Sequence, residues 1–424
     1  MTFLLIGTFV FLLLLKTPVA FSLVISCMVY MFGTGLSPIA AVQRMLAGPD
    51  SFPLLAIPGF VLAGVIMNTG GITQRIFAFA QKLVGHFTGG LGHANILASI
   101  IFAGMSGSAV ADAAGLGAVE LKAMKDAGFD DEFSLAITGA SSVIGPIIPP
   151  SVPAVVFGVT AGVSIGRLFM GGLIPGLIMA GAMSMLVYFM AKKRNYPKEK
   201  RATFKELFST LRYAFFPCLT PIIIIVGIFT GIITPTEASV IAVVYSAALG
   251  FIYKTIRIKD FYGFLKETLG TTVTVMFIIA TASLFGWILA HAQIPQKLSE
   301  LFITSVSNKY VMLFIINIII LFAGCFMEAA AAIMILTPVM LPVVISFGVD
   351  PVHFGIIMVI NLMIGLMTPP VGMILYVLSS ISKVPFERIA KEFVPYIIVL
   401  VIILQFITYI PEITLWLPNL LFNN

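Results

Sequence analysis

Gly104-Met-Ser106-Gly107-Ser108-Ala-Val-Ala-Asp112, followed by Gly139-Ala-Ser141-Ser142-Val-Ile-Gly145-Pro146-Ile-Ile-Pro149-Pro150-Ser151, sets hydroxyls, a carboxylate, glycines and prolines inside an otherwise apolar chain. A backbone in lipid must satisfy its own hydrogen bonds, and helix breakers are tolerated there only where protein or a polar cavity takes over. The stretch therefore reads as a re-entrant or broken helix lining a binding site. A plain Gly/Pro kink in one transmembrane helix would look similar, so the decisive observation is that the chain contains a second such stretch.

That second stretch is Gly324-Cys-Phe-Met-Glu328-Ala, with Asn361-Leu-Met-Ile-Gly365-Leu-Met367-Thr368-Pro369-Pro370-Val-Gly372 further on. A shift of 220 positions aligns Gly104 with Gly324, Gly128 with Gly348, Asp130 with Asp350, Gly145 with Gly365, and Pro149-Pro150 with Pro369-Pro370. Thr17-Pro18 with Ser22 likewise matches Thr234-Pro235 with Ser239, and residues 72–76 resemble 294–298. Their shared order predicts a structural duplication. Interrupted apolar segments at corresponding places in two halves point to a transporter site.

Composition agrees. The chain of 424 residues is 59% hydrophobic and 10% charged, with a mean hydropathy of +1.10; soluble domains carry about 25% charged residues. This is the profile of an all-α integral membrane protein. The net charge of +6 does not imply nucleic acid, because the basic residues fall between apolar segments. Cys27, Cys218 and Cys325 show neither metal spacing nor a disulfide framework. The N-terminal apolar run lacks a basic region and a small-residue cleavage site, so it reads as a span.

Spans are predicted at about 2–15, 18–33, 52–69, 168–190, 215–232, 235–252, 271–290 and 393–417, with broken spans at 133–163 and 353–381. Hairpins are predicted at 92–127, its tip at Ser106-Gly107-Ser108, and at 309–345, its tip between Cys325 and Glu328. Residues 73–87 repeat apolar side chains at helical spacing opposite Gln74, Arg75, Gln81 and Lys82, which predicts a helix in the membrane interface. The basic segment 192–213 links the halves and carries an apolar stripe, with Thr203 and Glu206 spaced as a capping box. The expected fold has two inverted repeats, about 10–12 transmembrane helices, two opposed re-entrant hairpins and interfacial helices. Residues 1–89 and 214–308 would form a scaffold, and 90–191 and 309–424 the domain holding the site.

Lys and Arg accumulate in cytoplasmic loops. With both termini outside and the linker inside, all but Arg44, Arg167, Lys297 and Lys309 of the 24 Lys and Arg lie on the cytoplasmic side. Two opposed hairpins then imply a site near the midplane. Half-helix N–H groups suit an anion, while unwound carbonyls and hydroxyls suit a hard cation such as Na⁺. One cation site is expected at Ser106, Ser108, Ser141, Ser142 and Gly145, and its mate at Gly324, Asn361, Gly365, Met367 and Thr368. Asp112 and Glu328 are carboxylates at mid-membrane depth, where a charge costs about 3 kcal/mol or more and so has a purpose. They are expected either to accept bonds from substrate hydroxyls or to fix a hairpin tip. Other substrate contacts are expected from Ser108, Ser151, Pro149, Pro150, Pro369 and Pro370.

The Ser106–Asp112 and Gly145–Ser151 stretches, Glu328 with its alanine run, and Gly365–Gly372 together resemble the large membrane subunit of tripartite ATP-independent periplasmic (TRAP) transporters over essentially the whole chain. The resemblance implies a multi-pass protein of the bacterial inner membrane. It implies Na⁺-driven uptake of an organic acid, sialic acid ahead of a C4-dicarboxylate, by an elevator motion. Na⁺ is the coupling ion, and no other cofactor is implied. The implied partners are a periplasmic substrate-binding protein and a separately encoded small membrane subunit, since its helices do not occur in this chain. Three rival classes are disfavoured. No Gly-x-x-x-x-Gly-Lys-Ser/Thr loop suggests ATP-driven pumping, no His lies near Ser106 or Ser151 for a hydrolase, and a channel needs no duplicated hairpins. A divalent-anion/Na⁺ symporter without a binding protein is the nearest structural alternative.

Overall fold

Twenty α-helices and no strand make up the described residues of the computed structural model, which are 1–15, 17–306 and 308–422 without the side chains at positions 2 and 104–106. The first half runs α1 (Thr2–Leu14), α2 (Val19–Thr34), α3 (Pro38–Ala47), α4 (Ala56–Thr69), α5 (Ile72–Val84), α6 (Gly90–Ser106), α7 (Ala109–Asp126), α8 (Asp131–Ser142), α9 (Val152–Ala161) and α10 (Ile165–Arg194). The second half runs α11 (Phe204–Phe229), α12 (Pro235–Ile252), α13 (Phe261–His291), α14 (Ile294–Ser305), α15 (Lys309–Phe326), α16 (Ala329–Ser346), α17 (Pro351–Leu366), α18 (Met373–Ser382), α19 (Phe386–Tyr409) and α20 (Glu412–Phe422). Among the described residues, 8 helices are long and apolar enough to cross a membrane, and α1, α2, α9, α17 and α18 are shorter apolar pieces.

The hairpins and breaks sit where the sequence places them. Gly107, at φ +62°, turns α6 into α7, and residues 143–151 separate α8 from α9. α15 and α16 meet at Met327-Glu328, and residues 367–372 separate α17 from α18. The Pro149–Pro150 and Pro369–Pro370 bonds are both cis.

Three boundaries differ from expectation. The surface helix expected before residue 213 and the span expected at 215–232 are one helix, α11, opened by a complete Thr203/Glu206 capping box. Leu211-Arg-Tyr-Ala-Phe215 changes polarity but contains nothing that ends a helix, and Pro217 and Pro221 are absorbed inside it. The span expected at 271–290 likewise starts earlier, at Phe261 in α13, with Gly270 tolerated in its interior. The last span, expected at 393–417, instead ends at Tyr409, because Pro411 follows and has no N–H to continue the ladder. Residues 38–47, which fall between the spans expected at 18–33 and 52–69, form α3, capped by Ser37 with Pro38 in its first turn.

Packing is continuous, α5 lying on α6 and α13 on α16, and it joins two groups of helices. In one, α4 lies on α12, α13 crosses α2, α3 and α4, and α11 holds α5 and α12. In the other, α6 and α7 lie on α8, α15 lies on α17, and α10 joins α19 and α20. The second group is interlocked. α7 of the first hairpin also packs on α18, and α16 of the second packs on α9. Each hairpin thus touches the outer piece of the other half's broken pair. Every residue of α17 from Val352 to Leu366 is buried, as expected of a helix apolar on all sides.

α5 buries part of its apolar face, Ile72, Ile76, Phe77 and Ala80, against α6 and α11, while Leu83 stays exposed. Arg75 on its polar side stacks between Tyr213 (3.8 Å) and Tyr253 (3.7 Å). At the other end of α10, Arg194 reaches Glu392 (2.5 Å) and Asp130 (3.5 Å). Tyr196 donates to Asp130 (2.5 Å), and burial followed by that bond pushes its phenol up to about 12. These contacts tie α10, the α7–α8 turn and α19 together below the site.

Candidate functional site

Each hairpin tip is seated on a helix break. At the first, the space a Cβ on Gly107 would fill lies 2.9 Å from Pro150 O and 3.2 Å from Val152 N. The buried carboxylate of Asp112, one turn into α7, lies against Cα of Gly145, so that a side chain there would strike it. Ser151 caps α9 by accepting from Ala154 N (3.1 Å), and its own hydroxyl donates to Pro146 O across the break. At the second tip, Gly324 and Gly365 bring the backbones of α15 and α17 into contact, and Gly372 N donates to Cys325 O (3.3 Å). A Cβ on Gly365 would overlap the backbone of Gly324 at 2.5 Å, while one on Gly324 would press on Gly365 less closely, at 3.2 Å.

The caps follow the repeat. Ser108 caps α7 by accepting from Ala111 N (3.4 Å). Glu328, 220 positions on, caps α16 by accepting from Ala330 N (2.8 Å). Of the two roles open to Glu328 from sequence, the geometry supplies tip fixing: a carboxylate on the first N–H groups of a helix meets the positive end of its dipole.

Hydrogen bonds behind the tips also repeat. On α6, Asn95 donates to Thr138 Oγ1 (2.7 Å) and accepts from Ser141 Oγ (2.6 Å), while Ser99 donates to Ser141 (3.0 Å). On α15, Asn317 donates to Thr408 Oγ1 (2.9 Å) and accepts from Asn361 Nδ2 (2.8 Å). Asn361 also donates to Ile357 O (2.9 Å), and its Oδ1 is buried with no donor facing it. Ser141 and Asn361 are repeat mates, and so nearly are Asn95 and Asn317, which lie 222 positions apart. These asparagines, with Ser99, Thr138 and Thr408, were missed in the sequence. A polar amide recurring inside two otherwise apolar hairpin legs was the signal.

The remaining candidates are placed as follows. The side chain of Ser106 lies outside those described, while its backbone ends α6. Ser142 is buried and donates to Gly139 O (2.9 Å). Thr368 donates to Ile364 O (2.7 Å), and Met367 N bonds the same carbonyl (3.2 Å), at the point where α17 ends. Pro149 and Pro150 are buried, whereas Pro369 and Pro370 are exposed. Ser141 and Asn361 each spend hydrogen-bonding capacity on a seam between helices. Of the two, Asn361 keeps an acceptor in reserve.

A cavity of about 320 Å³ lies where the two helix groups meet. Gly48, Ser51 and Ser283 line it from one side, and Thr160, Met334 and Pro338 from the other.

The paired seams carry a testable consequence. Asn317→Ala removes both the acceptor of Asn361 and the donor to Thr408. Each orphaned buried group costs about 1–3 kcal/mol. Asn95→Ala should cost the same on its side. Thermal unfolding in detergent is expected to move down by several degrees for each variant, and unchanged melting of both would mean that the seams do not hold the hairpins.

The family model described as the tripartite ATP-independent periplasmic transporter, DctM component, matches residues 6–413. The sialic acid TRAP transporter large permease protein SiaM of Vibrio cholerae is 46% identical over 405 residues, covering 95% of each chain. The sialic acid TRAP transporter permease protein SiaT of Haemophilus influenzae is 40% identical, over 95% of this chain and 66% of that one. The C4-dicarboxylate TRAP transporter large permease protein DctM of Pseudomonas aeruginosa is 36% identical, over 89% of this chain and 88% of its own. The crystal structure of the Alcanivorax borkumensis YdaH transporter, described as having an unusual topology, superposes with a TM-score of 0.64. It covers 92% of this chain and 90% of that one at 14% identity, a likeness of fold.

Proposed function

Since this chain belongs to the DctM component family of tripartite ATP-independent periplasmic transporters and is a TRAP large permease protein, we propose that it imports sialic acid, with a C4-dicarboxylate as second choice, driven by Na⁺. The substrate order rests on the greater identity to the two sialic acid permeases than to the C4-dicarboxylate one. A small membrane subunit and a periplasmic substrate-binding protein complete the machine. The protein lies in the bacterial inner membrane with both termini periplasmic and the linker cytoplasmic.

The observation that carries Na⁺ coupling is the seating of each tip on a break, with a buried acceptor left over at Asn361 Oδ1. Hard cations take oxygen ligands from carbonyls, amides and hydroxyls. The proposed first site draws on Ser106, Ser108, Ser141, Ser142 and Gly145, and the second on Gly324, Asn361, Gly365, Met367 and Thr368. Substrate would lie between the tips, beside Ser108, Asp112, Ser151 and the Pro149-Pro150 and Pro369-Pro370 corners, with the cavity between the helix groups as its approach. Residues 90–191 and 309–424 would move as one body against a scaffold of residues 1–89 and 214–308. The interlock of α7 with α18 and of α16 with α9 supports a body that moves whole.

Uptake into proteoliposomes tests this reading. Transport is expected only with binding protein, small subunit and an inward Na⁺ gradient. Asn361→Ala and Thr368→Ala should raise the Na⁺ concentration for half-maximal uptake while protein level holds. Uptake without binding protein would favour the divalent-anion symporter, and Na⁺ dependence unchanged in both variants would remove them from the ion site. Cysteines placed at Asn195 and Asn424 should label from opposite faces of the membrane, Asn195 from the cytoplasm.

A further inference from the structure

A groove of about 680 Å³ opens on the outer surface of the protein, between α6 and α10 and beside the turn that joins α5 to α6. Its walls are apolar: Phe87, Leu97 and Ile100 on one side and Leu177 and Met185 on the other. Its floor includes Gly181, where an added Cβ would meet nothing within 4 Å. The α10 wall runs from Leu177 to Tyr188, about 16 Å at the helical rise. This is a long, narrow, apolar slot, open along one side.

One end of the slot is cationic. Tyr188 lines it, and Lys192 stands one helical turn further on the same face. Lys193 follows, and among the described residues neither lysine forms a salt bridge. The linker brings more charge to the same corner. Glu199 N donates to Gly85 O (3.1 Å), and Gln81 donates to Glu199 Oε1 (2.5 Å), which fixes Lys198 and Lys200 beside the α5–α6 turn. Arg194 is engaged with Glu392 and Asp130, so the unpaired positive charge belongs to the lysines.

We propose that this groove binds one anionic phospholipid of the leaflet facing the linker, its acyl chain along α10 over Gly181 and its phosphate at Lys192 and Lys193. Apolar length joined to a cluster of lysines at a membrane surface fits that ligand and no soluble one. Basic pockets between transmembrane helices recognise anionic headgroups, and each lysine near the surface contributes about fivefold in binding. The chain of such a lipid lies against the turn that connects α5, held by α11, to α6, which packs on α8. It is placed where relative movement of the two helix groups must be felt.

The test compares phosphatidylglycerol with phosphatidylcholine of the same acyl chains, added to the full chain in nanodiscs and followed by native mass spectrometry. Wild type is expected to retain one phosphatidylglycerol in preference to phosphatidylcholine. Gly181→Phe, whose Cβ enters open space and whose ring projects into the slot, should lose the retained lipid of either kind. Lys192→Ala combined with Lys193→Ala leaves the slot open. It should bring phosphatidylglycerol down to the level of phosphatidylcholine, a fall of about twenty-five-fold for two lysines. Equal retention of both lipids by wild type would show bulk lipid only and overturn the proposal. So would a wild-type preference that survives in both variants. Melting curves of the two variants separate loss of the lipid from loss of the fold.

Discussion

Glu328→Ala is expected to lower uptake at least tenfold with the protein still inserted at normal level, and Glu328→Ser to recover much of it. The carboxylate caps α16 at 2.8 Å from Ala330 N, half-buried at the tip of a helix whose first turns are buried. A hydrogen bond to a charged group contributes about 1.5–3 kcal/mol, more than tenfold in an equilibrium constant. The lost contact also leaves the first N–H groups of a buried helix unsatisfied. Serine is the informative rescue because the first hairpin already uses Ser108 for the same job. A neutral cap satisfies an N–H without the charge, so Glu328→Ser tests the cap alone. Glu328→Gln keeps an amide oxygen and should fall between alanine and wild type. If the carboxylate instead binds substrate hydroxyls, serine and alanine will be equally poor and the Na⁺ dependence will stay normal. Tip fixing predicts that both substrate and Na⁺ dependence shift in Glu328→Ala, since the tip serves both.

Why the caps were legible and the seams were not follows from what a duplication preserves. Offset 220 holds across the tip, the α7–α8 turn and the break, where Gly, Pro and capping residues are each demanded by one backbone geometry. Gly324 and Gly365 approach backbone to backbone, and a Cβ on Gly365 would overlap Gly324. Ser108 and Glu328 differ in size and charge, yet both cap, and only the offset pairs them. The first hairpin legs drift to offset 222 at Asn95 and Asn317, and a single amide in an apolar helix is easily taken for a kink or a surface residue. Helix ends were misread for a different reason. At 211–215 and near Gly270 the sequence passes between polar and apolar while the backbone carries on. Polarity there marks where a membrane would begin, whereas a helix stops where the backbone leaves helical geometry, as at Ile410 before Pro411. The apolar stripe of α5 shows the complementary limit. Periodicity identified the face, but whether lipid or α6 and α11 would cover it depends on contacts distant in the chain.

Gly365→Ala is expected to lower uptake and stability together, a large effect for a single added methyl. Its Cβ would lie 2.5 Å from the carbonyl carbon of Gly324, 2.6 Å from its Cα and 3.0 Å from Cys325 N. All three are backbone atoms of the second hairpin, so no side-chain rotation can make room. Either the tip lifts from the break or α17 moves, and α17 is buried on every side. Overpacking a tight core costs about 1–3 kcal/mol even when side chains can yield. With backbone on both sides the upper end applies, and displacement of the tip would remove the bond from Gly372 N to Cys325 O as well. We expect uptake reduced more than tenfold and a clear fall in melting temperature. Gly324→Ala should be milder, because its Cβ meets Leu362 and Gly365 at 3.1–3.2 Å. Gly270→Ala, in α13 with nothing within 4 Å, should behave as wild type and controls for helix propensity, which alone would favour alanine. The order Gly365, Gly324, Gly270 is the measurable content of a tip seated directly on the break. Wild-type uptake and melting for Gly365→Ala would show that the two backbones are not in contact in the working protein.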